Sequence, residues 1–142
     1  MRGIVIFRCD AGVQSGLGHL MRCIELANSI KKINKLEPIF FINAPNNILK
    51  ILEVKKIKFY KSRYSLARST ANSIKKIKSI KLIIIDSKVV NHKFIIQCNN
   101  ISKTLCIQDE IKQEFDCDIL INNNVWIKKT DYEIKKNRIN LL

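Results

Sequence analysis

Apolar positions along the chain fall into short β-branched runs, separated by segments in which they recur every three or four residues. Gly3 to Arg8 (GIVIFR) is such a run, followed by a polar, glycine-containing loop, and it predicts a buried first strand ending at about Arg8. From Gly18 the residues Leu20, Cys23, Ile24, Leu26, Ala27 and Ile30 repeat at helical spacing, which predicts an amphipathic helix to about Ile33. Pro38 to Ile42 (PIFFI) predicts a second strand. Pro45 to Val54 predicts a helix with proline in its first turn, where the missing N–H costs nothing. Ile57 to Tyr60 predicts a third strand, and Leu66 to Ile77, with Ala67, Ala71, Ile74 and Ile77 on one face, a further helix. Lys81 to Asp86 (KLIIID) is a continuous apolar run of the kind seen where a parallel strand is covered on both faces. A helix at His92 to Cys98 and strands at Thr104 to Gln108 and Asp118 to Ile121 complete the series, and three asparagines, Asn122 to Asn124, follow.

Strands that alternate with helices through short connections predict an α/β fold: a Rossmann-like, mostly parallel sheet with helices on both faces and right-handed crossovers. In such sheets ligands bind outside the C-terminal ends of the strands. The polar residues expected there are Arg8 and Asp10 after the first strand, Asp86 after the fourth, Asp109 and Glu110 after the next, and Asn122 after the last. Any one of them taken alone is more readily read as a strand or helix cap. Their joint placement on one rim is what marks them as candidates.

Composition narrows the picture. A chain of 142 residues has room for one domain, here residues 1–127, followed by a polar, Lys-rich stretch, 128–142, that reads as a tail or a truncated interdomain linker. With 46% hydrophobic and 27% charged residues the chain is neither disordered nor collagenous. No run approaches the about 18 to 20 apolar residues of a membrane span, and the apolar start before Arg8 is too short for a secretory signal, so a cytoplasmic protein without a membrane partner is expected. Five cysteines without a CxxC pair argue against a disulfide framework and a thiolate zinc site; reduced core thiols, no metal and no cofactor are expected. The net charge of +14 invites a nucleic-acid reading. The lysines, however, are scattered from Lys31 to Lys136, without arginine-rich base readers or aromatic platforms, so a solvated surface and no nucleic-acid partner are expected.

All four glycines are Gly3, Gly12, Gly16 and Gly18, three of them in the loop between the first strand and the first helix. Such a loop suits positive φ angles or a close approach of backbone to ligand, and it leads into the positive end of a helix dipole, which favours phosphate or sugar-phosphate groups. The dinucleotide fingerprint is only partly met, because Met21 stands where its third glycine belongs. His19 falls in the first helical turn, with Arg22 three residues on and on nearly the same face. The helix N-terminus disfavours an imidazolium there and favours a neutral ring that accepts a proton, while Arg22 is suited to hold an anionic leaving group or a carboxylate. A surface histidine on a helix turn is the plainer alternative.

Phe7-Arg8-Cys9-Asp10 followed by Gly16-Leu17-Gly18-His19-Leu20-Met21-Arg22 resembles the N-terminal domain of the UDP-2,4-diacetamido-2,4,6-trideoxy-beta-L-altropyranose hydrolase family of pseudaminic acid biosynthesis. The likeness continues in Leu82 to Asp86, in Asp109-Glu110 and in Cys117 to Asn124, in the same order. GxGH-like loops also occur in related two-domain glycosyltransferases that build peptidoglycan lipid intermediates. The resemblance implies the N-terminal half of a two-domain GT-B-type fold and metal-independent hydrolysis of a UDP-linked sugar at its anomeric carbon. It implies His19 as the proton acceptor that activates water, and Arg8, Asp10, Gly16, Gly18, Arg22, Asp86 and Asp109 as substrate-binding residues. The expected partners are the UDP-linked sugar and a separately encoded C-terminal nucleotide-binding domain, whose packing surface would otherwise stand exposed and apolar. The alternative is an inactive remnant or a small sugar- or protein-binding module of the same fold. Ser87 and Lys88 favour it, because they replace the histidine and tyrosine that usually follow the family's aspartate.

Overall fold

In a computed structural model that describes residues 2–62, 67–110, 116–128 and 140–141, seven strands form one sheet in the order β3-β2-β1-β4-β5-β6-β7. The strands are β1 (Ile4–Asp10), β2 (Glu37–Asn43), β3 (Lys58–Lys61), β4 (Ile80–Asp86), β5 (Thr104–Gln108), β6 (Ile119–Asn122) and β7 (Asn140–Leu141). The helices are α1 (Gly18–Asn34), α2 (Asn46–Val54), α3 (Ala67–Lys75) and α4 (His92–Asn99). Every strand pairing is parallel. The α/β, Rossmann-like expectation therefore holds.

Side-chain alternation along each strand divides the core into two layers. Val5, Phe7 and Cys9 of β1, with Ile84 of β4, pack against Leu20, Ile24 and Ala27 of α1 and Leu52 of α2. Ile6, Ile83 and Ile85 face the other way, onto Ala71 and Ile74 of α3 and Phe94 and Cys98 of α4. The chain builds outward from β1 through β2 to β3, then crosses to β4 on the other side. The gap between the C-terminal ends of β1 and β4 is thus a topological switch point, where a ligand finds a crevice between diverging connections.

Several boundaries differ from those predicted. β1 runs on through Arg8 to Asp10, which pairs with Asn43, so both charged residues lie in the strand rather than after it. Their mutual ion pair lets the strand carry them. Pro45 is the N-cap of α2, extended at φ −69° and ψ 159°, and its carbonyl accepts from Ile48 and Leu49 N–H, so the helix proper begins one residue later. Asn122 closes β6 instead of following it. Asn140–Leu141 pairs with Ile119 and Leu120 of β6, adding a strand within the stretch read as a tail. Leu66, the predicted start of the third helix, and residues 129–139 and 142 of that stretch lie outside the described residues.

All five cysteines are free and buried. Burial pushes the Cys98 thiol up from an ordinary 9.0 to about 12, with Arg8 opposing the shift. A raised thiol pKa contributes stability that is present below about pH 9 and is lost as pH climbs toward 12. Resistance to urea is therefore expected to fall across that window. A thiol reagent at pH 8 is expected to label none of the five until the chain unfolds.

Candidate functional site

The loop between β1 and α1 is pinched by two glycines that bond to each other. Gly12 N–H donates to the Gly16 carbonyl at 3.2 Å, and Gly16 N–H returns the bond at 2.7 Å. Gly16 has φ +67° and Gly12 φ +152°, conformations that a β-carbon would strain. The chain thereby turns directly into α1 at Gly18. No side chain caps that helix start, so first-turn N–H groups remain available at the positive end of its dipole.

The glycine turn places His19 in the first turn of α1, over the end of β4. His19 Nδ1 lies 2.6 Å from Asp86 Oδ1, and Asp86 is completely buried. Arg22, one helical turn on, grips the same carboxylate through Nε at 2.5 Å and Nη2 at 2.6 Å. Its Nη1 and Nη2 also donate to Asp109 Oδ1 and Oδ2 at 2.8 and 3.1 Å. One guanidinium thus bridges the buried carboxylate that ends β4 and an exposed one just past β5. Cys23 adds a fourth donor to Asp86, with Sγ 3.6 Å from Oδ2.

The contact with Asp86 selects the tautomer of a neutral imidazole. A carboxylate at 2.6 Å requires a proton on Nδ1, so the neutral ring carries its lone pair on Nε2. Arg22 Nη2, 3.1 Å from Nδ1, is then a packing neighbour, because a donating nitrogen has no lone pair to offer it. Asp86 holds the Arg22 guanidinium more firmly protonated than usual, partial burial opposes this, and Asp109 reinforces it. In return, Arg22 holds the Asp109 carboxyl below the ordinary carboxylate range. A histidine oriented by a buried aspartate is the arrangement by which imidazole takes up a proton and has the resulting charge matched.

The predicted site residues fall into two groups. His19, Arg22, Asp86 and Asp109 come together on the α1 side of the sheet, beside Gly16 and Gly18, where a β-carbon would meet open space. Arg8 and Asp10 occupy the opposite side of the same sheet end, following the alternation of Ile4 and Ile6. Arg8 Nη1 donates to Asp10 Oδ1 at 2.8 Å and to the Cys9 carbonyl, and both side chains are buried. Asp10 Oδ2 is buried without a hydrogen-bond partner among the described residues, an acceptor suited to a donor from outside the chain. Glu110 stays on the surface, paired with Lys88 at 3.5 Å. Asn122 Oδ1 accepts from Asn124 N–H and so shapes the turn after β6. Ser87 does the same after β4, its Oγ accepting from Val89 and Val90 N–H.

Sequence reasoning assigned Cys23 to the core alone and missed its contact with Asp86. The signal was there, since Cys23 follows His19 by four residues and shares its helix face. Among the described residues no group of three or more His, Cys, Asp or Glu side chains is arranged to hold a metal ion, and no helix is long and apolar enough to cross a membrane.

Fold and site together define an α/β Rossmann-like domain with a histidine–aspartate–arginine cluster at its switch point. The chain is 32% identical over 135 residues to the UDP-2,4-diacetamido-2,4,6-trideoxy-beta-L-altropyranose hydrolase of Campylobacter jejuni, a match covering 91% of this chain and 44% of that protein. It is 29% identical over 117 residues to an uncharacterized protein of Methanocaldococcus jannaschii, covering 80% of this chain and 23% of that one. No protein-family model matches the chain. The chain therefore spans less than half the length of the curated relatives it matches, and its relation to a UDP-sugar hydrolase is distant.

Proposed function

We propose that the chain is the sugar-side half of a nucleotide-sugar hydrolase that cleaves a UDP-linked diacetamido-trideoxyhexose at the anomeric carbon and acts in the cytoplasm. The observation that carries this reading is the 2.6 Å contact between His19 Nδ1 and buried Asp86 at the mouth of the glycine loop. In this mechanism Nε2 takes a proton from water while the water oxygen attacks the anomeric carbon. The bond from that carbon to the phosphate oxygen breaks, and UDP leaves with the electron pair. The uncapped start of α1 favours the anionic leaving group.

Asp86 has its oxygens engaged by His19, Arg22 and Cys23, so its part is to orient the imidazole rather than to touch the sugar. Arg22 likewise positions, through Asp86 and Asp109. Asp10, with its unsatisfied oxygen, is suited to accept from a sugar hydroxyl or acetamido N–H, and Arg8 holds it in place. Hydrolysis in ¹⁸O-labelled water tests the reaction class. Attack at carbon leaves the UDP phosphates unlabelled, whereas label in the β-phosphate would overturn anomeric cleavage.

The nucleotide side of the site is assigned to a second domain, as the greater length of the relatives suggests. Val13, Leu17, Met21, Val89, Val125 and Trp126 are exposed large apolar residues in or beside the loops at the C-terminal end of the sheet, the rim such a domain would cover. Trp126 is the chain's one tryptophan and is 85% exposed. Its fluorescence is expected to be that of a solvated indole in the chain alone and to shift to the blue when a nucleotide-binding domain docks. An unchanged spectrum on docking would place the interface elsewhere.

A further inference from the structure

Three side chains on one face of α1, at i, i+3 and i+4, converge on the Asp86 carboxylate: His19, Arg22 and Cys23. Their contributions differ. His19 lies against Oδ1, and Arg22 binds both oxygens, so the bidentate guanidinium already fixes where the carboxylate lies. The Cys23 thiol, with Sγ 3.6 Å from Oδ2, adds little to that placement. What it changes is the negative charge left for His19.

The thiol hydrogen has two acceptors within reach. Cys23 touches both Asp86 and the thiol of Cys9 in β1, and all three side chains are completely buried. A carboxylate is the stronger acceptor, so the Cys23 hydrogen goes to Asp86 and the Cys9 hydrogen to Cys23 Sγ. The Cys9 bond, burial and the Asp86 charge together push the Cys23 thiol well up, and it keeps its hydrogen throughout the neutral range. In surroundings that exclude water, each donor to a carboxylate draws off charge that the other partners would otherwise share.

We infer that Cys23 tunes the His19 base through Asp86: its thiol limits how strongly the carboxylate holds the Nδ1 proton, and so how fully the imidazolium is matched when Nε2 takes up a proton. The inference rests on the reading of His19 as proton acceptor, but its test reads the hydrogen bond and not turnover. The chain has two histidines, and His92 opens α4 on the other face of the sheet, so its ring is an internal control. In the full chain labelled with ¹⁵N-histidine, Cys23→Ala is expected to move the ¹H and ¹⁵N signals of the His19 Nδ1–H group downfield as its bond to Asp86 strengthens. Cys23→Val, which fills the thiol's space without a donor, is expected to do the same. Cys23→Ser supplies an O–H donor in its place and is expected to return both signals toward wild type, with His92 fixed in all three variants. Unmoved signals in Cys23→Ala and Cys23→Val, an upfield shift, or equal shifts in Cys23→Ser and Cys23→Val would overturn the inference. Release of UDP that does not need His19 would instead overturn the hydrolase reading and leave these shifts as they are.

Discussion

Asp86→Asn is expected to cost about 3 kcal/mol of stability and, in the assembled enzyme, a fall in turnover of roughly 10²- to 10⁴-fold. The stability loss follows from burial. Asp86 has no solvent exposure and accepts from His19, Arg22 and Cys23, so a neutral amide leaves a guanidinium without its main counter-charge. Arg22 is 28% exposed and keeps Asp109, which places the cost at the lower end of what breaking a buried ion pair entails. The catalytic loss has a separate cause. Where the amide turns its NH₂ toward His19, Nδ1 becomes an acceptor and the ring proton moves to Nε2, the nitrogen that must receive one from water. Urea midpoints measure the first effect, and the ¹⁵N shifts of the His19 ring measure the second. A variant of unchanged stability whose ring keeps the Nδ1–H tautomer would contradict the orienting role.

Phe7→Ala is expected to cost about 4 kcal/mol, seen as a large drop in urea midpoint without a change of fold. Phe7 sits in the central strand β1, fully buried, its ring stacked on Phe40 of β2 with centroids 4.8 Å apart and planes within 12°. Removing it leaves a cavity that the neighbouring strands, fixed by their pairing on both sides, cannot close. The same substitution lies on the His19 side of the sheet, so the loop that follows β1 loses its support. A cost below about 1 kcal/mol would show that this layer collapses readily.

The sheet and its helices were legible because their apolar periods are strong: the run Leu82 to Ile85 has room for nothing but a doubly covered strand, and Leu20 to Ile30 for nothing but a helix face. His19 and Arg22 were legible as partners by their spacing in one helix. Asp86 as the partner of His19 was not, because the two are 67 residues apart and meet only through the strand order that sets β4 beside β1. Parallel strand order follows from crossovers and leaves no local pattern. Arg8 and Asp10 were placed beyond β1 because charges normally end a buried strand, and their compensation by each other is visible only in three dimensions. The two-residue strand Asn140–Leu141 is too short for any periodicity to announce it.

The most direct test of the account is UDP release from the UDP-linked diacetamido-trideoxyhexose by this chain supplied with a nucleotide-binding domain, compared with the chain alone and with His19→Ala. The account predicts release that needs both parts and is lost in the variant while the fold is retained. Equal release by wild type and His19→Ala, or none by the assembled wild type, would contradict it and leave the His19–Asp86 pair as a structural clasp between α1 and β4.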